Sequence, residues 1–346
     1  MQIKKLAALA AVSALAVGAT ACGSNDDSGG GGGASTGKVG VELPLLTSPF
    51  WQAYNEQIRV AAKATGVDAL PPVNADSNPS QQITDIQNLL SQGVKGLVVA
   101  PLDSAAIGAG IKLADRKDVP VVAVDVAPDK AKVAIVVRAN NRAYGEKACD
   151  FLGKTVSSGK VVQIMGDLAS VNGRERSEAF RTCIKQRYPR LRVLQIAADW
   201  ESDKAAAGLE SLLAQNPDLK GIYMQAGGVY LAPTLQTLRR AKKLVPAGEA
   251  GHIAIVSNDG IPQELDAIRK GQIDATVSQP ADAYAHEALR YVKRAMAGER
   301  FAPGKTDHGS TIVRLPNGNL EDQLPAPLVT KADVDDPKLW GNAVGN

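Results

Sequence analysis

The chain has 346 residues, of which 45% are hydrophobic and 22% are charged, as in an ordinary globular protein. It carries 39 Lys and Arg against 36 Asp and Glu, or 37 against 36 when Lys4 and Lys5 are left out. A charge so near balance lacks the electrostatic footprint of a nucleic-acid or membrane-surface binder. The length beyond residue 37 is sufficient for two domains.

The first 37 residues have the layout of an export signal followed by a tether. Two lysines precede an apolar run over 6–17, and small residues then lead to Cys22. The run is too short to span a bilayer comfortably, so we predict a signal peptide over 1–21. Residues 22–37 are rich in Gly, Ser, Asn and Asp and cannot bury a core, which predicts a flexible tether.

The segment ending at Cys22 resembles a bacterial lipoprotein signal. In such a signal the cysteine becomes the lipidated first residue of the mature chain, although Ala19 departs from the usual Leu three places before it. The resemblance implies a protein on the extracytoplasmic face of the cell membrane, attached only through its lipid anchor. A secretory signal with an incidental cysteine is the alternative.

Short runs rich in Val and Ile then alternate with amphipathic segments of helix length. The predicted strands lie at 38–43, 67–73, 96–100, 121–124, 133–137, 161–165, 191–197, 221–224, 253–257, 275–278 and 312–315. The predicted helices lie at 52–65, 79–92, 104–116, 141–155, 174–187, 203–215, 231–242, 262–270 and 282–296. Asn78 is predicted to cap the second of these, with Pro79 as its first residue. Wholly apolar strands are typical of parallel sheets covered by helices. One open sheet of so many strands is unusual, so we predict an α/β fold of two doubly wound parallel-sheet domains. A closed eight-stranded barrel is the alternative.

Cys149 and Cys183 lie in two of the predicted helices. An exported protein with an even number of remaining cysteines favours a disulfide between them. Two buried free thiols are the alternative.

Polar and aromatic side chains follow successive predicted strands, at the end where open α/β sheets bind ligands. In chain order these segments are Ser48-Pro49-Phe50-Trp51, Asp76-Ser77-Asn78-Pro79, Ala100-Pro101-Leu102-Asp103-Ser104, Asp125, Arg174-Glu175-Arg176, Asp259-Gly260 and Gln279-Pro280. Their order and spacing resembles the periplasmic ribose-binding family, the type-I sugar-binding proteins of bacterial ABC transporters. The resemblance covers nearly all of 38–315.

The resemblance implies that a monosaccharide or polyol binds between the two domains. A sugar has an apolar face and a rim of hydroxyls, so its site needs aromatic rings and fixed carboxylate, amide and guanidinium groups. The predicted ligand-binding residues are Ser48, Phe50, Trp51, Asp125, Arg174, Trp200, Asp259 and Gln279. Core packing is the alternative for Phe50 or Trp51. We expect Arg176 to be a solvated or salt-bridged helix residue and Asp103 to be a helix cap.

The resemblance also implies a hinge in which the chain crosses three times between the domains. The predicted hinge residues are Asn140, Gln279 and Ser310. The predicted domains are 38–139 plus 280–309 for the first and 140–279 plus 310–316 for the second. Residues 317–346 are predicted to form an irregular tail.

The sequence departs from the ribose-like pattern at two places. Val126 stands where that pattern has an arginine after the aspartate, and Ala226-Gly227 follow Gln225 where it has Asn-Asp. Two polar contacts of the ribose type are therefore absent, and we expect a less polar or roomier pocket on that side. The ligand is then another pentose, a hexose, a polyol or a cyclic polyol.

The implied function is a monomeric substrate-binding protein that closes around its ligand and delivers it to a membrane permease, without a cofactor or metal. His252, His286 and His308 are the three histidines, and none has metal-ligand spacing or a nucleophilic motif. The chain is therefore not expected to be an enzyme. A ligand-sensing subunit for a chemoreceptor or sensor kinase is the alternative. A sugar-responsive repressor is excluded because the export signal occupies the position of its DNA-binding head.

Overall fold

The computed structural model describes residues 37–343, which form two α/β domains. The predicted signal peptide, the predicted tether up to residue 36 and the predicted lipidation site at Cys22 lie outside the described residues. Within residues 37–343, no helix has both the length and the apolar character needed to cross a membrane.

The chain begins with an alternation of strands and helices. The elements are β1 (Lys38–Leu43), α1 (Pro49–Thr65), β2 (Asp68–Ala69), β3 (Val73–Asn74), α2 (Pro79–Ser91), β4 (Gly96–Val99), α3 (Gly108–Asp115), β5 (Val121–Val124) and β6 (Ile135–Ala139). The cap of α2 predicted from the sequence is confirmed: the Asn78 side chain accepts the N–H groups of Ser80 and Gln81, and Pro79 is the first helical residue.

The second run of elements repeats the alternation. It comprises α4 (Asn141–Val156), β7 (Gly159–Met165), α5 (Val171–Arg187), β8 (Leu191–Ala197), α6 (Ser202–Gln215), β9 (Leu219–Met224), α7 (Gly227–Arg240), β10 (Ala254–Asp259), α8 (Pro262–Arg269) and β11 (Ala275–Ser278). The remaining elements are α9 (Ala281–Met296), β12 (Gly304–Lys305), β13 (Thr311–Arg314), β14 (Leu320–Leu324), β15 (Leu328–Thr330) and α10 (Trp340–Ala343).

Each domain is built on one mostly parallel sheet. The first sheet has the order β12-β13-β14-β6-β5-β4-β1-β2, with β3 also paired to β1, and its antiparallel pairs are β12–β13 and β13–β14. The second has the order β15-β11-β10-β9-β7-β8, with β15 antiparallel at its edge. Both β4 and β5 are buried throughout, as expected for a sheet covered by helices. The predicted α/β class with two doubly wound domains is confirmed, and the barrel alternative is wrong.

The chain passes between the two sheets three times. The first passage follows β6 and begins at Asn140, and the second follows β11 at Gln279. The third lies at 325–327, between β14 of the first sheet and β15 of the second. The predicted crossing near Ser310 is therefore wrong, since Ser310 lies between two strands of the first sheet.

The segment predicted as an irregular tail is largely ordered and contains β14, β15 and α10. The middle of β14 is polar, yet Glu321 and Asp322 are 1% and 0% exposed. Arg138 forms an ion pair with Glu321, and the Tyr291 hydroxyl donates to Asp322 at 3.0 Å. The buried acidic residues of this strand are paired with residues on distant elements. The strand therefore has no apolar pattern from which it could be predicted.

Helices α4 and α5 pack against each other and carry the two remaining cysteines. Cys149 and Cys183 form the predicted disulfide, so the free-thiol alternative is wrong. Within residues 37–343, these two sulfurs and Asp150 form the one group with metal-like spacing. Because the sulfurs are bonded to each other, the group offers no thiolate ligand.

Candidate functional site

A cavity of about 80 Å³ lies between the domains, where the carboxyl ends of both sets of parallel strands meet. Its first-domain wall is formed by Pro44, Leu45, Ser48, Phe50, Trp51, Pro101, Leu102 and Asp125. Its second-domain wall is formed by Ser170, Asn172, Arg176, Trp200, Ala226, Val229, Asp259 and Gln279. Seven of the eight predicted ligand-binding residues therefore line one cavity, and Arg174 does not.

The phase of α5 explains which arginine enters the cavity. The helix begins at Val171, and the Ser170 side chain caps it by accepting the N–H of Asn172. Asn172 and Arg176 lie four residues apart, on one helix face, and both line the cavity. Arg174 lies on a different face, where it pairs with Asp129 and donates to the carbonyls of Leu168 and Ala169 at 2.9 and 3.0 Å. The structure thus places Arg176, which was expected to be solvated or salt-bridged, on the cavity and leaves Arg174 outside its lining.

Arg176 is 3% exposed and is fixed by hydrogen bonds on three sides. Its Nε donates to Asn141 Oδ1 at 2.6 Å, one terminal nitrogen donates to the Gln225 carbonyl at 2.6 Å, and the other donates to Gln279 Oε1 at 2.9 Å. The guanidinium also lies 4.9 Å from the ring centroid of Tyr144. Five N–H donors are available on a guanidinium, so two remain for a bound molecule.

Asp125 projects from the loop after β5 and has a left-handed backbone, with a φ of 61°. Its Oδ1 accepts a hydrogen bond from Gln279 Nε2 at 3.1 Å, which joins it to the network around Arg176. Burial raises the pKa of Asp125, while Arg176, Arg138 and a hydrogen bond with Asn172 oppose that rise. The result is a buried acceptor held by groups from both domains.

Asp259 ends β10 on the other side of the cavity. Its Oδ2 accepts the N–H of Gly228 at the start of α7, at 2.8 Å. Burial raises the pKa of Asp259 to about 7, although Arg176 and the Gly228 N–H lower it. Glu264 nearby is also buried, and its pKa is raised to about 8 by burial and by the charge of Asp259.

Phe50 and Trp51 form an aromatic corner at the start of α1. Their rings meet edge to face at 5.2 Å, and they are 3% and 8% exposed. Phe50 also meets Tyr284 at 6.4 Å, and Trp51 meets Tyr54 at 5.4 Å. Both residues line the cavity and also belong to the core, so the cavity has a rigid apolar wall.

Trp200 supplies a ring from the second domain. Asp199 and Trp200 have consecutive left-handed backbones, with φ of 51° and 61°. The Tyr230 hydroxyl accepts the backbone N–H of Trp200 and donates to the Met165 carbonyl, both at 2.9 Å. A side-chain carbon at Gly166 would lie 1.8 Å from the indole, so only glycine leaves room for this ring.

The departures from the ribose-like pattern bring small residues to the cavity. Ala226 and Val229 contribute apolar surface, and Val126 is buried outside the lining. A side-chain carbon at Gly228 would lie 2.5 Å from Ser48 Oγ of the first domain. The glycine therefore allows the two domains to approach closely beside the cavity.

The domains also contact each other outside the cavity lining. The Ser104 N–H donates to the Ala169 carbonyl at 3.2 Å, and its hydroxyl accepts the Val171 N–H at 2.9 Å. Arg138 of the first domain forms a 3.0 Å ion pair with Glu175 of the second. Asp103, predicted to be a helix cap, instead accepts the N–H groups of Ala105 and Ala106 in the turn before α3, whose N-cap position is Ile107. These contacts hold the cleft closed in this structure.

The lining residues that the sequence did not predict include Arg176, Asn172, Ser170, Pro101 and Leu102. An earlier helix start would have identified the first two, because the capping signal of Ser170 places residues 172 and 176 on one face. Pro101 and Leu102 lie in the turn after β4, and that turn at the end of a buried strand is the signal that could have identified them. Gln82 holds that turn by donating to the Ala100 carbonyl and accepting the Leu102 N–H.

Two α/β domains that share an interdomain cavity lined by rings, carboxylates, amides and a guanidinium define a ligand-binding protein of the two-domain type. Residues 39–300 match the model of the periplasmic binding protein domain, and the chain belongs to that family.

The chain is 26% identical over 301 residues to the ribose import binding protein RbsB of Salmonella typhimurium, covering 87% of this chain and 95% of that protein. It is 26% identical over 320 residues to the xylitol-binding protein of Mycolicibacterium smegmatis, covering 92% of this chain and 87% of that protein. The solved structure of an ABC transporter solute binding protein from Mycobacterium smegmatis with bound glycerol matches this chain with a TM-score of 0.73 and 25% identity. The match covers 86% of this chain and 95% of that one. These relatives are binding proteins, and the prediction that this chain is not an enzyme is confirmed on that ground.

Proposed function

We propose that this protein is the substrate-binding protein of an ABC transporter that captures an uncharged monosaccharide or polyol between its domains. The observation that carries the proposal is the composition of the cavity, in which aromatic rings alternate with fixed donors and acceptors. Such a lining matches a molecule with an apolar face and many hydroxyls. The ribose, xylitol and glycerol named for the relatives belong to this class.

The ligand would contact both domains. We infer that Phe50, Trp51 and Trp200 pack on its carbon skeleton and that Arg176 donates to its hydroxyls. Its other proposed polar contacts are Ser48, Asp125, Asp259 and Gln279. Because these groups come from both domains, a bound molecule that contacts them would stabilise the arrangement in which the domains close around it. The linkers at Asn140, at Gln279 and at 325–327 would act as the hinge.

The charge of the cavity favours a neutral ligand. Asp125 and Asp259 line it beside one guanidinium, that of Arg176. A sugar acid would bring a further negative charge into a buried site, which is unfavourable. The Val126 and Ala226-Gly227 departures argue against ribose, so we favour another pentose, a hexose, a polyol or a cyclic polyol.

We further propose that the protein is a monomer anchored by a lipid on Cys22 at the extracytoplasmic face of the cell membrane, where it delivers its ligand to a permease. The support is the lipoprotein-like sequence around that cysteine. Cell fractionation tests this part: Cys22→Ser should move the protein from the membrane to the soluble fraction. Retention in the membrane fraction would contradict lipid anchoring.

A thermal-shift screen tests the function. The panel contains xylitol, myo-inositol, D-arabinose, D-allose, D-ribose and a uronic acid. A ligand at a hundredfold excess over its dissociation constant stabilises the fold by about 2.7 kcal/mol. We expect a shift with at least one neutral member and none with the uronic acid. A shift with the uronic acid alone would overturn the assignment to neutral ligands, and no shift at all would overturn the proposed ligand class.

A further inference from the structure

The C-terminal segment 331–343 belongs to the second domain. Arg269 of α8 holds it by donating to Asp335 Oδ1 at 2.8 Å, to the Val334 carbonyl at 3.1 Å and to Asn342 Oδ1 at 2.7 Å. Leu339 is buried in the second domain's hydrophobic cluster. The segment is therefore fixed to α8, close to the end of β10.

The next residue, Trp340, reaches across the domain boundary. It is 3% exposed and joins the hydrophobic cluster that contains α1 and α9 of the first domain. Its ring meets Phe50 edge to face, with centroids 5.9 Å apart and an interplanar angle of 84°. A residue anchored in one domain thus supports an aromatic wall of the other.

The same indole holds the backbone of Asp259. Trp340 Nε1 donates to the Asp259 carbonyl at 3.2 Å, and the same carbonyl accepts the Gln279 N–H at 2.9 Å. Asp259 has a φ of 111°, which side-chain-bearing residues rarely adopt and which persists only when surrounding contacts hold it. A side-chain carbon at Gly341 would lie 2.3 Å from the Gly260 carbonyl, so the segment also packs directly against the residue after Asp259.

We propose that Trp340 is a positioning residue of the ligand site, which fixes Asp259 and Phe50 relative to each other in the closed cleft. The inference rests on the proposed function, because it takes these two residues as ligand contacts. Trp340 lies outside the cavity lining and acts through them. The contact between Trp340 and Phe50 joins the two domains. Its loss should therefore lower the affinity for the ligand independently of any change in the stability of the fold.

The test compares Trp340→Phe, Trp340→Ala and the adjacent control Leu339→Ala in the full-length chain. Calorimetry measures affinity for the panel member that gives the largest thermal shift with the wild type. Trp340→Phe loses the N–H donor and should weaken binding about fivefold, and Trp340→Ala should weaken it by about another tenfold. Leu339→Ala should lower the melting temperature but leave the affinity unchanged. Equal losses of affinity in Leu339→Ala and Trp340→Ala, or none in either, would overturn the proposal.

A second measurement requires no ligand. Fluorine NMR of protein labelled with 4-fluorophenylalanine gives one signal for each of the four phenylalanines, and Phe50→Leu identifies the signal of residue 50. Trp340→Ala should shift that signal by removing the ring edge, whereas Leu339→Ala should not. An unmoved signal would overturn the contact with Phe50. If no panel member binds the wild type, the proposed function fails while this measurement still decides the contact.

Discussion

Arg174 of the second domain and Asp129 of the first form an ion pair that links the two domains outside the cavity lining. The two side chains are 39% and 34% exposed. Exposed ion pairs contribute at most about 1 kcal/mol, so this pair adds modestly to the closed arrangement. It also explains why an arginine that sequence alone assigned to the ligand lies outside the cavity.

Breaking this pair should weaken ligand binding only slightly. We expect Arg174→Ala to raise the dissociation constant by at most about fivefold, with a smaller effect at high salt because salt screens exposed charges. Asp129→Ala should act alike, and the double variant should be no weaker than either single one. Titration calorimetry at two salt concentrations checks this, and a hundredfold loss would return Arg174 to the ligand site.

Removing Arg176 should have a much larger effect. Arg176→Ala deletes the buried donor between Asp125, Asp259 and Gln279, and loss of a buried hydrogen-bonded charge weakens binding by about a hundredfold or more. Calorimetry with the same panel member measures it. Arg174→Ala is the matched control from the same helix, and equal affinities in the two variants would refute the assignment.

Asp259 should make stability depend on pH. Its pKa rises from 3.8 to about 7 on burial, so between these values the folded protein binds more protons than the unfolded chain. The free energy of unfolding therefore falls as the pH rises through this window. Asp259→Asn removes that contribution. As the pH rises from 3.8 to about 7, the melting temperature of the wild type should therefore decline relative to that of the variant. Thermal melts across the window test this, and parallel curves would contradict it.

Loss of the disulfide should lower stability without changing ligand affinity. Cys149 and Cys183 are separated by 34 residues, and chain entropy predicts a cost of roughly 3 to 4 kcal/mol for opening such a loop. Denaturant unfolding of the Cys149→Ala/Cys183→Ala variant measures the loss, and calorimetry provides the control. A weaker affinity for the panel member would show that α5 depends on the bridge to present Arg176.

Much of the site could be predicted because its residues follow strand ends. Ser48 and Asp125 come after strands with a strong apolar pattern and Asp259 is the last residue of another, and parallel strands bring their carboxyl ends to one edge. Local chemistry also predicted the α2 cap at Asn78 and the disulfide. These features depend on neighbours in sequence or on cysteine number.

The sequence by itself determined the alternating α/β order and the two-domain class, because apolar periodicity is a local property, and its resemblance to the ribose-binding family predicted seven of the cavity residues. Only the tertiary structure decided that Arg176 rather than Arg174 enters the cavity, since a shift of three residues in the start of α5 changes the face that an arginine occupies. It also decided that Glu321 lies in a buried strand and that Trp340 supports Asp259. In both cases burial of a polar group depends on a partner distant in the chain, which no local pattern records.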